Sequence, residues 1–129
     1  MTNEPSGPEV AYASAPDIAA ETEWVTRHAD TPPTDASADR ELRLRKAAAL
    51  DRIALREEAT RRSGIAIEAI ATAVQAAQGL AAYDAEHGSL TFRGAELAGA
   101  EDFRAYVREE YRAWRLLAPA KAKAPGHGE

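Results

Sequence analysis

The residues that come closest to a catalytic or metal-binding pattern are Asp84, Glu86 and His87. Asp84 and His87 are three positions apart, so both can project from one face of a helix. A metal site needs three or four ligands, and the other two histidines are far away in the sequence. The chain has no cysteine, and it lacks the HExxH, CxxC, GxSxG and phosphate-loop patterns of common enzyme classes. We therefore predict a solvated helix end here, no metal or cofactor, and a protein that is not an enzyme.

Four arginines are the best candidates for binding nucleic acid. Residues 39–62 carry eight basic and five acidic side chains, whereas the whole chain has a net charge of −5. In a helix, Arg45, Arg52 and Arg56 align on one stripe, and in a strand Arg43 and Arg45 project together. Two such strands from a dimer can enter the major groove of DNA as a ribbon. DNA binding through these four arginines is thus an alternative function.

The elements that carry these arginines are predicted from composition and period. Residues 39–62 favour a helix because alanine, leucine, glutamate and arginine dominate them. Residues 41–45 alternate between charged and apolar side chains, which is a strand pattern. We predict a helix over 39–62 and keep a short strand at 41–45 as the alternative. Ser63-Gly64 then either separates two helices or lies inside one long helix.

The next segment, residues 65–82, is almost entirely small and apolar. It holds eight alanines and a single charge, Glu68. A helix that is apolar nearly all round is typical of a buried position, and the two neighbouring helices can hardly cover it. We therefore predict a helix over 65–83 that is an assembly surface in a homo-oligomer, without a membrane span, since Glu68, Gln75 and Gln78 interrupt it. Its predicted contact residues are Ile67, Ile70, Val74 and Leu80.

The last predicted helix, residues 101–118, is the most clearly amphipathic, and Pro119 is expected to end it. Its aromatic and aliphatic side chains lie on one arc, with Glu110 in their middle. A carboxylate there is costly to bury unless it is paired, so we expect Glu110 either to meet an arginine of a partner or to lie at an exposed edge. Arginines 104 to 115 form an adjoining stripe that we interpret as a solvated face. The residues predicted to bind a protein partner are Phe103, Tyr106, Val107, Glu110, Trp114 and Leu117, with Trp24 from the N-terminal segment.

Both ends of the chain are predicted to be disordered. Residues 1–38 contain five prolines and seven acidic side chains against one basic side chain, Arg27. Within them, residues 17–28 have helical spacing. Trp24 either folds onto a partner, packs on the protein's own core, or is part of a mobile segment. A further hypothesis is that this acidic arm lies over the basic residues 39–62 and weakens their binding to polyanions. Residues 119–129 are predicted to be a flexible tail.

Part of the chain resembles the ribbon-helix-helix antitoxins of bacterial toxin–antitoxin systems. Leu42-Arg43-Leu44-Arg45 is similar to the ribbon, and the segments on either side of Ser63-Gly64 resemble the two helices. The sequence from Leu80 to Leu97 is similar to the toxin-facing tails of some of these proteins. The resemblance covers residues 42–97. It implies a dimer that binds operator DNA through Arg43 and Arg45 and blocks a toxin with its C-terminal part.

Together these observations predict a mainly α-helical protein of three parts: an acidic arm (1–38), a helical domain of two or three helices in a small bundle or hairpin (39–118) and a tail (119–129). Its predicted function is non-catalytic binding of protein, as an adaptor or an oligomerising regulatory subunit. The alternative is an antitoxin-like DNA-binding repressor that neutralises a toxin. The absence of cysteine is consistent with a cytoplasmic location.

Overall fold

The computed structural model describes residues 8–31, 35–60, 63–87 and 97–127. These residues form five helices: α1 (Pro8–Ala11), α2 (Ile18–Ala29), α3 (Ala36–Thr60), α4 (Ser63–Glu86) and α5 (Ala100–His127). The predicted mainly α-helical class is confirmed. The predicted number of two or three helices is too low, since the N-terminal part adds two helices to the three that form the core.

Helices α3 and α4 pack against each other as an antiparallel hairpin. The hydroxyl group of Tyr83, late in α4, donates to the carbonyl of Ala36 at the beginning of α3, over 3.3 Å. Helix α5 packs against both members of the hairpin. The core between the three helices is lined by Leu44, Ala47, Ala48, Ala77, Leu80, Ala81, Tyr106, Val107 and Tyr111. Alanines in α3 and α4 allow the backbones to approach closely, and the tyrosines of α5 fill the remaining space.

The alternative of a strand at 41–45 is wrong, because these residues lie inside α3. Two acidic residues stabilise the helix here from four positions before their arginines, which is the favourable order. Asp39 contacts Arg43 at 3.1 Å and Glu41 contacts Arg45 at 3.1 Å. Leu44 is completely buried, so the alternation of residue types reflects one buried leucine among surface ion pairs. The described residues contain no strand.

The boundary between the first two core helices lies slightly before the predicted position. Helix α3 ends at Thr60 and α4 begins at Ser63, so Gly64 belongs to the first turn of α4. Residues 61–62 lie outside the described residues. Two separate helices thus flank this position, and a hairpin requires such a break between its two helices.

The N-terminal prediction of disorder is corrected for residues 8–31, which form α1 and α2. The Asp17 side chain begins α2 by accepting a hydrogen bond from the amide of Ala20 at 2.7 Å. Helix α2 packs on α3 and α1 packs on α5. Proline and acid content alone predicted disorder, but Tyr12 and Glu21 reach polar partners in the core helices. Residues 1–7 and 32–34 of the predicted arm lie outside the described residues.

At the C-terminal end, α5 continues through Pro119 to His127. This differs from the predicted helix end at residue 118 and the predicted flexible tail. The start of α5 follows its sequence signal, since the Asp102 carboxylate accepts from the Gly99 amide at 3.0 Å.

Candidate functional site

One side of α4 is exposed although it is largely apolar. Ile65 and Ile67 are 47% and 67% exposed, and only 28% of the most apolar part of this helix is buried. Between α4 and the start of α5 lies a groove of about 420 Å³. We call the exposed side of α4, including this groove, the α4 face. The groove is lined by Ile67, Ile70, Ala71, Thr72, Val74, Gln75, Gln78 and Ala100.

Three of the four predicted oligomer-contact residues lie on the α4 face. Ile67 is exposed, and Ile70 and Val74 are half-buried along the groove. Leu80 is different, because it is 1% exposed within the core between the helices. Leu80 cannot contact a second chain without unpacking its own core, so this residue was wrongly assigned. By length and composition alone, α4 is also the one helix in the described ranges that is apolar enough to cross a membrane.

Most residues predicted to bind a partner through α5 instead form the protein's own core. Tyr106 and Val107 are 1% exposed, and Phe103 and Trp114 pack against the core cluster. Leu117 is 64% exposed and stays available. The aromatic arc of α5 thus faces α3 and α4, which explains why a helix with such a clear apolar side occurs in so small a chain.

Trp24 and Glu110 also contact their own chain. The Trp24 ring stacks on His28 with 3.9 Å between centroids, and the Arg45 guanidinium lies 3.7 Å from the Trp24 centroid. Glu110 accepts from Arg40 at 3.0 Å. Neither predicted alternative holds, because the arginine that Glu110 meets belongs to α3 of the same chain and not to a partner. Burial raises the pKa of Glu110 above its usual value, and the Arg40 charge opposes this shift.

The most unusual feature of the interior is a set of three fully buried carboxylates, Glu21, Asp51 and Asp84. Each accepts a hydrogen bond from a tyrosine hydroxyl and contacts at least one arginine, and each joins different helices. A buried carboxylate is tolerated only when it is paired and hydrogen-bonded. The three clusters are therefore the positions at which this fold depends on exact pairing.

The Glu21 cluster joins α2 to α3 and α5. Glu21 accepts from Arg45 at 2.6 Å and from the Tyr111 hydroxyl at 2.7 Å. Arg52 Nη1 lies 3.9 Å from the same carboxylate, too far for a hydrogen bond. Burial and the Glu21 carboxylate raise the pKa of Tyr111, so its hydroxyl remains a donor. One glutamate from the N-terminal segment thus contacts both core helices that lie beneath it.

The Asp51 cluster joins α3 to α5 and to the residue that follows α1. Asp51 accepts from Arg104 at 2.6 Å, from Arg108 at 2.7 and 3.0 Å, and from the Tyr12 hydroxyl at 2.7 Å. The side chains of Arg104 and Arg108 are 2% and 10% exposed. The arginine stripe that we interpreted as a solvated face is therefore buried at these two positions. A single aspartate in α3 neutralises one of their two charges, and Glu58 adds a contact to Arg104 at 2.9 Å.

The Asp84 cluster joins α4 to α3 and α5. Arg40 donates two hydrogen bonds of 2.8 Å to Asp84, and the Tyr106 hydroxyl donates a third over 2.5 Å. Asp84 is thus directed into the bundle, whereas Glu86 and His87 are exposed. The three residues first considered for metal binding do not converge. No group of three or more His, Cys, Asp or Glu side chains suited to a metal occurs within the described part of the chain.

The four arginines predicted for nucleic acid fall into two groups. Arg45 and Arg52 have side chains that are 12% and 14% exposed and lie against Glu21. Arg43 is 48% exposed but contacts Asp39, and Arg56 is exposed. Glu21 of the acidic N-terminal segment therefore lies against two of the four.

No protein family, curated protein sequence or solved structure matches this chain. The structural residues that sequence reasoning missed are chiefly Tyr12, Glu21, Asp51 and Tyr111. A signal for Asp51 was present, since it is an acid on the same stretch as the buried alanines 47, 48 and 54. Nothing local indicated its partners, because they lie 39 to 57 positions away.

Proposed function

We propose that this protein acts by binding other protein chains and that its α4 face packs against the same face of a second copy. The observation that carries the proposal is the exposure of Ile65 and Ile67 on a helix with one charge, Glu68, in residues 65–82. Exposed apolar surfaces of this kind mark interaction sites in soluble proteins. We also keep a cytoplasmic location as a proposal.

A second copy suits this face because it carries a large side chain near one end of α4 and a glycine near the other. Ile67 is a large exposed side chain near the beginning of α4, and Gly79 is an exposed glycine near its end. A Cβ atom added at Gly79 would meet nothing within 4 Å, so the space above it is open. The two positions are twelve residues apart, or about 18 Å along the helix. They are also about 120° apart around the helix, so in an antiparallel pair related by a two-fold axis each Ile67 would lie level with the Gly79 of the other copy, at the edge of the contact.

The polar side chains of the face agree with the same register. In an antiparallel pair, residues that lie level with each other have residue numbers with a constant sum. If Ile67 is level with Gly79 of the second copy, then Glu68 is level with Gln78. The Gln78 amide can donate to the Glu68 carboxylate at the edge of the contact. Exposed Ala71 would be opposite Gln75, where two helix backbones can come close. No like charges face each other across this arrangement.

The test is the mass of the protein in solution, measured by light scattering and sedimentation over a range of concentrations. Ile67→Glu should weaken the dimer about 100-fold or more. Each of two equivalent contacts loses about 1.5 kcal/mol of apolar burial, and 1.4 kcal/mol corresponds to a tenfold change. Leu116→Glu is the matched control, because Leu116 on α5 is equally exposed at 68%. This control should leave the dimer intact.

A second variant tests the register. Gly79→Leu places a large side chain at the edge of the contact, level with the second copy's Ile67, while the open space around Gly79 leaves the monomer fold unaffected. Gly79→Leu should therefore fold like wild type but dimerise more weakly. A wild-type protein that is monomeric at all concentrations, or a Gly79→Leu variant that dimerises like wild type, would refute the proposal.

Binding of a toxin, the protein-binding part of the antitoxin-like function, stays an alternative proposal. The DNA-binding part required a β-ribbon at residues 41–45, and these residues belong to α3. Titration of DNA with the protein at low salt, with Arg43→Ala as the comparison, tests that part separately.

A further inference from the structure

The N-terminal segment, residues 8–31, is held on the bundle by charged and aromatic contacts and by a few small or partly buried apolar side chains. Its buried residues are Ala11 and Glu21, and Trp24 is half-buried. Five acidic side chains against one basic side chain give it a charge of −4. Tyr12 and Ala15 also pack against the core cluster. The attachment therefore combines a few charged and aromatic contacts with partly buried side chains, and a competing ligand must replace both.

The surface beneath the segment is rich in arginine, and we call it the segment cleft. Arg45 contacts Glu21 at 2.6 Å and lies over the Trp24 ring. Arg115 donates to the Ser14 carbonyl at 2.7 Å. Arg52 lies near Glu21, with its guanidinium 5.6 Å from the Tyr12 centroid.

The segment leaves donors in this cleft unused. Three buried side-chain polar atoms in the described parts of the chain have no hydrogen-bond partner: Arg52 Nη1, Arg104 Nη2 and Arg115 Nε. Two of these three belong to the arginines of the segment cleft. A buried donor without a partner is costly, so a ligand that supplies further acceptors at these two atoms would bind better than the protein's own segment.

We propose that the segment cleft is a binding site for an acidic helical segment of a different protein, which replaces residues 8–31. A carboxylate of the partner takes the position of Glu21 between Arg45 and Tyr111. An aromatic side chain three residues later takes the position of Trp24 over Arg45. Further carboxylates pair with Arg52 and Arg115. Exchange of the segment with a second copy gains nothing at these atoms, because an identical sequence would leave the same two donors unpaired.

The probe is a fluorescently labelled peptide of residues 8–31, whose binding to the full-length protein is measured by anisotropy. In wild type the tethered segment competes at a high effective concentration, so the peptide should bind weakly. Glu21→Gln in the protein weakens the tethered segment, and the peptide should bind at least tenfold more tightly. Glu23→Gln is the matched control, with the same charge change on the same helix at an exposed position. It should behave like wild type.

A substituted peptide tests the unused donors. Ser14→Asp in the peptide places a carboxylate beside Arg115 and should strengthen binding to the Glu21→Gln protein several-fold. Thr22→Asp adds the same charge at an exposed position and should change binding much less. Adding Arg45→Ala to the Glu21→Gln protein should abolish binding.

Three results would overturn the proposal. The first is equal peptide binding by wild type and Glu21→Gln, or by neither, in protein whose helical circular dichroism shows it to be folded. The second is equal affinity of the Ser14→Asp and Thr22→Asp peptides. The third is exchange between copies, detected as a concentration-dependent dimer of Glu21→Gln that persists when Ile67→Glu removes the α4 contact. This last control keeps the proposal separate from the function proposed for α4.

Discussion

Replacing Asp51 by asparagine should destabilise the fold more than any other change of one carboxylate to its amide in α3. The side chain keeps its volume but loses its charge, and an amide nitrogen then faces the guanidinium groups of Arg104 and Arg108. Both arginines are buried, with side chains 2% and 10% exposed. Breaking a buried ion pair by neutralising one partner costs about 3–5 kcal/mol. Since Glu58 still contacts Arg104, we expect the lower part of this range.

The magnitude is large for a chain of this length. An unfolding entropy of about 2.1 cal/mol/K per residue gives about 270 cal/mol/K for 129 residues. A loss of about 3–4 kcal/mol then lowers the Tm by about 11–15 °C. Thermal unfolding followed by circular dichroism measures this shift, and urea unfolding at 25 °C gives the corresponding free energy.

The matched control is Asp39→Asn, which makes the same change in the same helix. Asp39 is 27% exposed and contacts Arg43, which is 48% exposed. An exposed pair contributes about 0–1 kcal/mol, so the Tm should fall by less than about 4 °C. Equal Tm shifts for the two variants would refute the argument that the buried Asp51 cluster holds α3 and α5 together.

Three further predictions concern pH and one glycine. The pKa of Glu110 is raised above the ordinary 4.5, so the folded state binds this proton more tightly than the unfolded chain does. The stability that the bound proton contributes is therefore lost as the pH rises. Urea unfolding from pH 4 to 7 should show a smaller loss of unfolding free energy in Glu110→Gln than in wild type. Burial and carboxylate neighbours raise the pKa of Tyr12, Tyr106 and Tyr111. The free energy of unfolding should therefore fall above pH 10 by up to about 4 kcal/mol per pH unit. Absorbance at 295 nm, which reports tyrosine ionisation, should rise together with unfolding. Gly79→Ala should stabilise the fold by about 0.5–1 kcal/mol, because its Cβ meets open space; chemical denaturation of dilute protein measures it, and a loss of stability would contradict the geometry.

The sequence predicted the helices because their signals are local. The aromatic period of α5, the alanines of α4 and the charge order in α3 each follow from residues a few positions apart. The same local logic failed for the arginines of α5, since an arginine stripe on one helix is usually solvated. Arg104 and Arg108 are buried because Asp51 lies opposite them, and that fact depends on how α3 and α5 pack.

The candidate sites were predictable to different degrees. The sequence indicated an exposed side of α4, because two neighbouring helices can hardly cover a helix that is apolar nearly all round. Ile67 lies on that exposed side. Glu110 was expected to meet an arginine of a partner or to lie at an exposed edge, whereas it pairs with Arg40 of its own chain. Arg40 is 70 positions away, and no local pattern could identify it. The segment of residues 8–31 was misjudged because average composition hides a single well-placed residue. Glu21 has partners 24 and 90 positions away.

The composition of the core also has a thermal consequence. Much of what is buried between the helices is alanine, tyrosine hydroxyl, carboxylate and guanidinium, so unfolding exposes less apolar and more polar surface than usual. Exposed apolar surface raises the heat capacity and exposed polar surface lowers it. The heat-capacity increment of unfolding should therefore be small, which gives a shallow stability curve. The hydration of buried charges also becomes less favourable on heating, so the three carboxylate clusters lose little of their stabilising effect at high temperature.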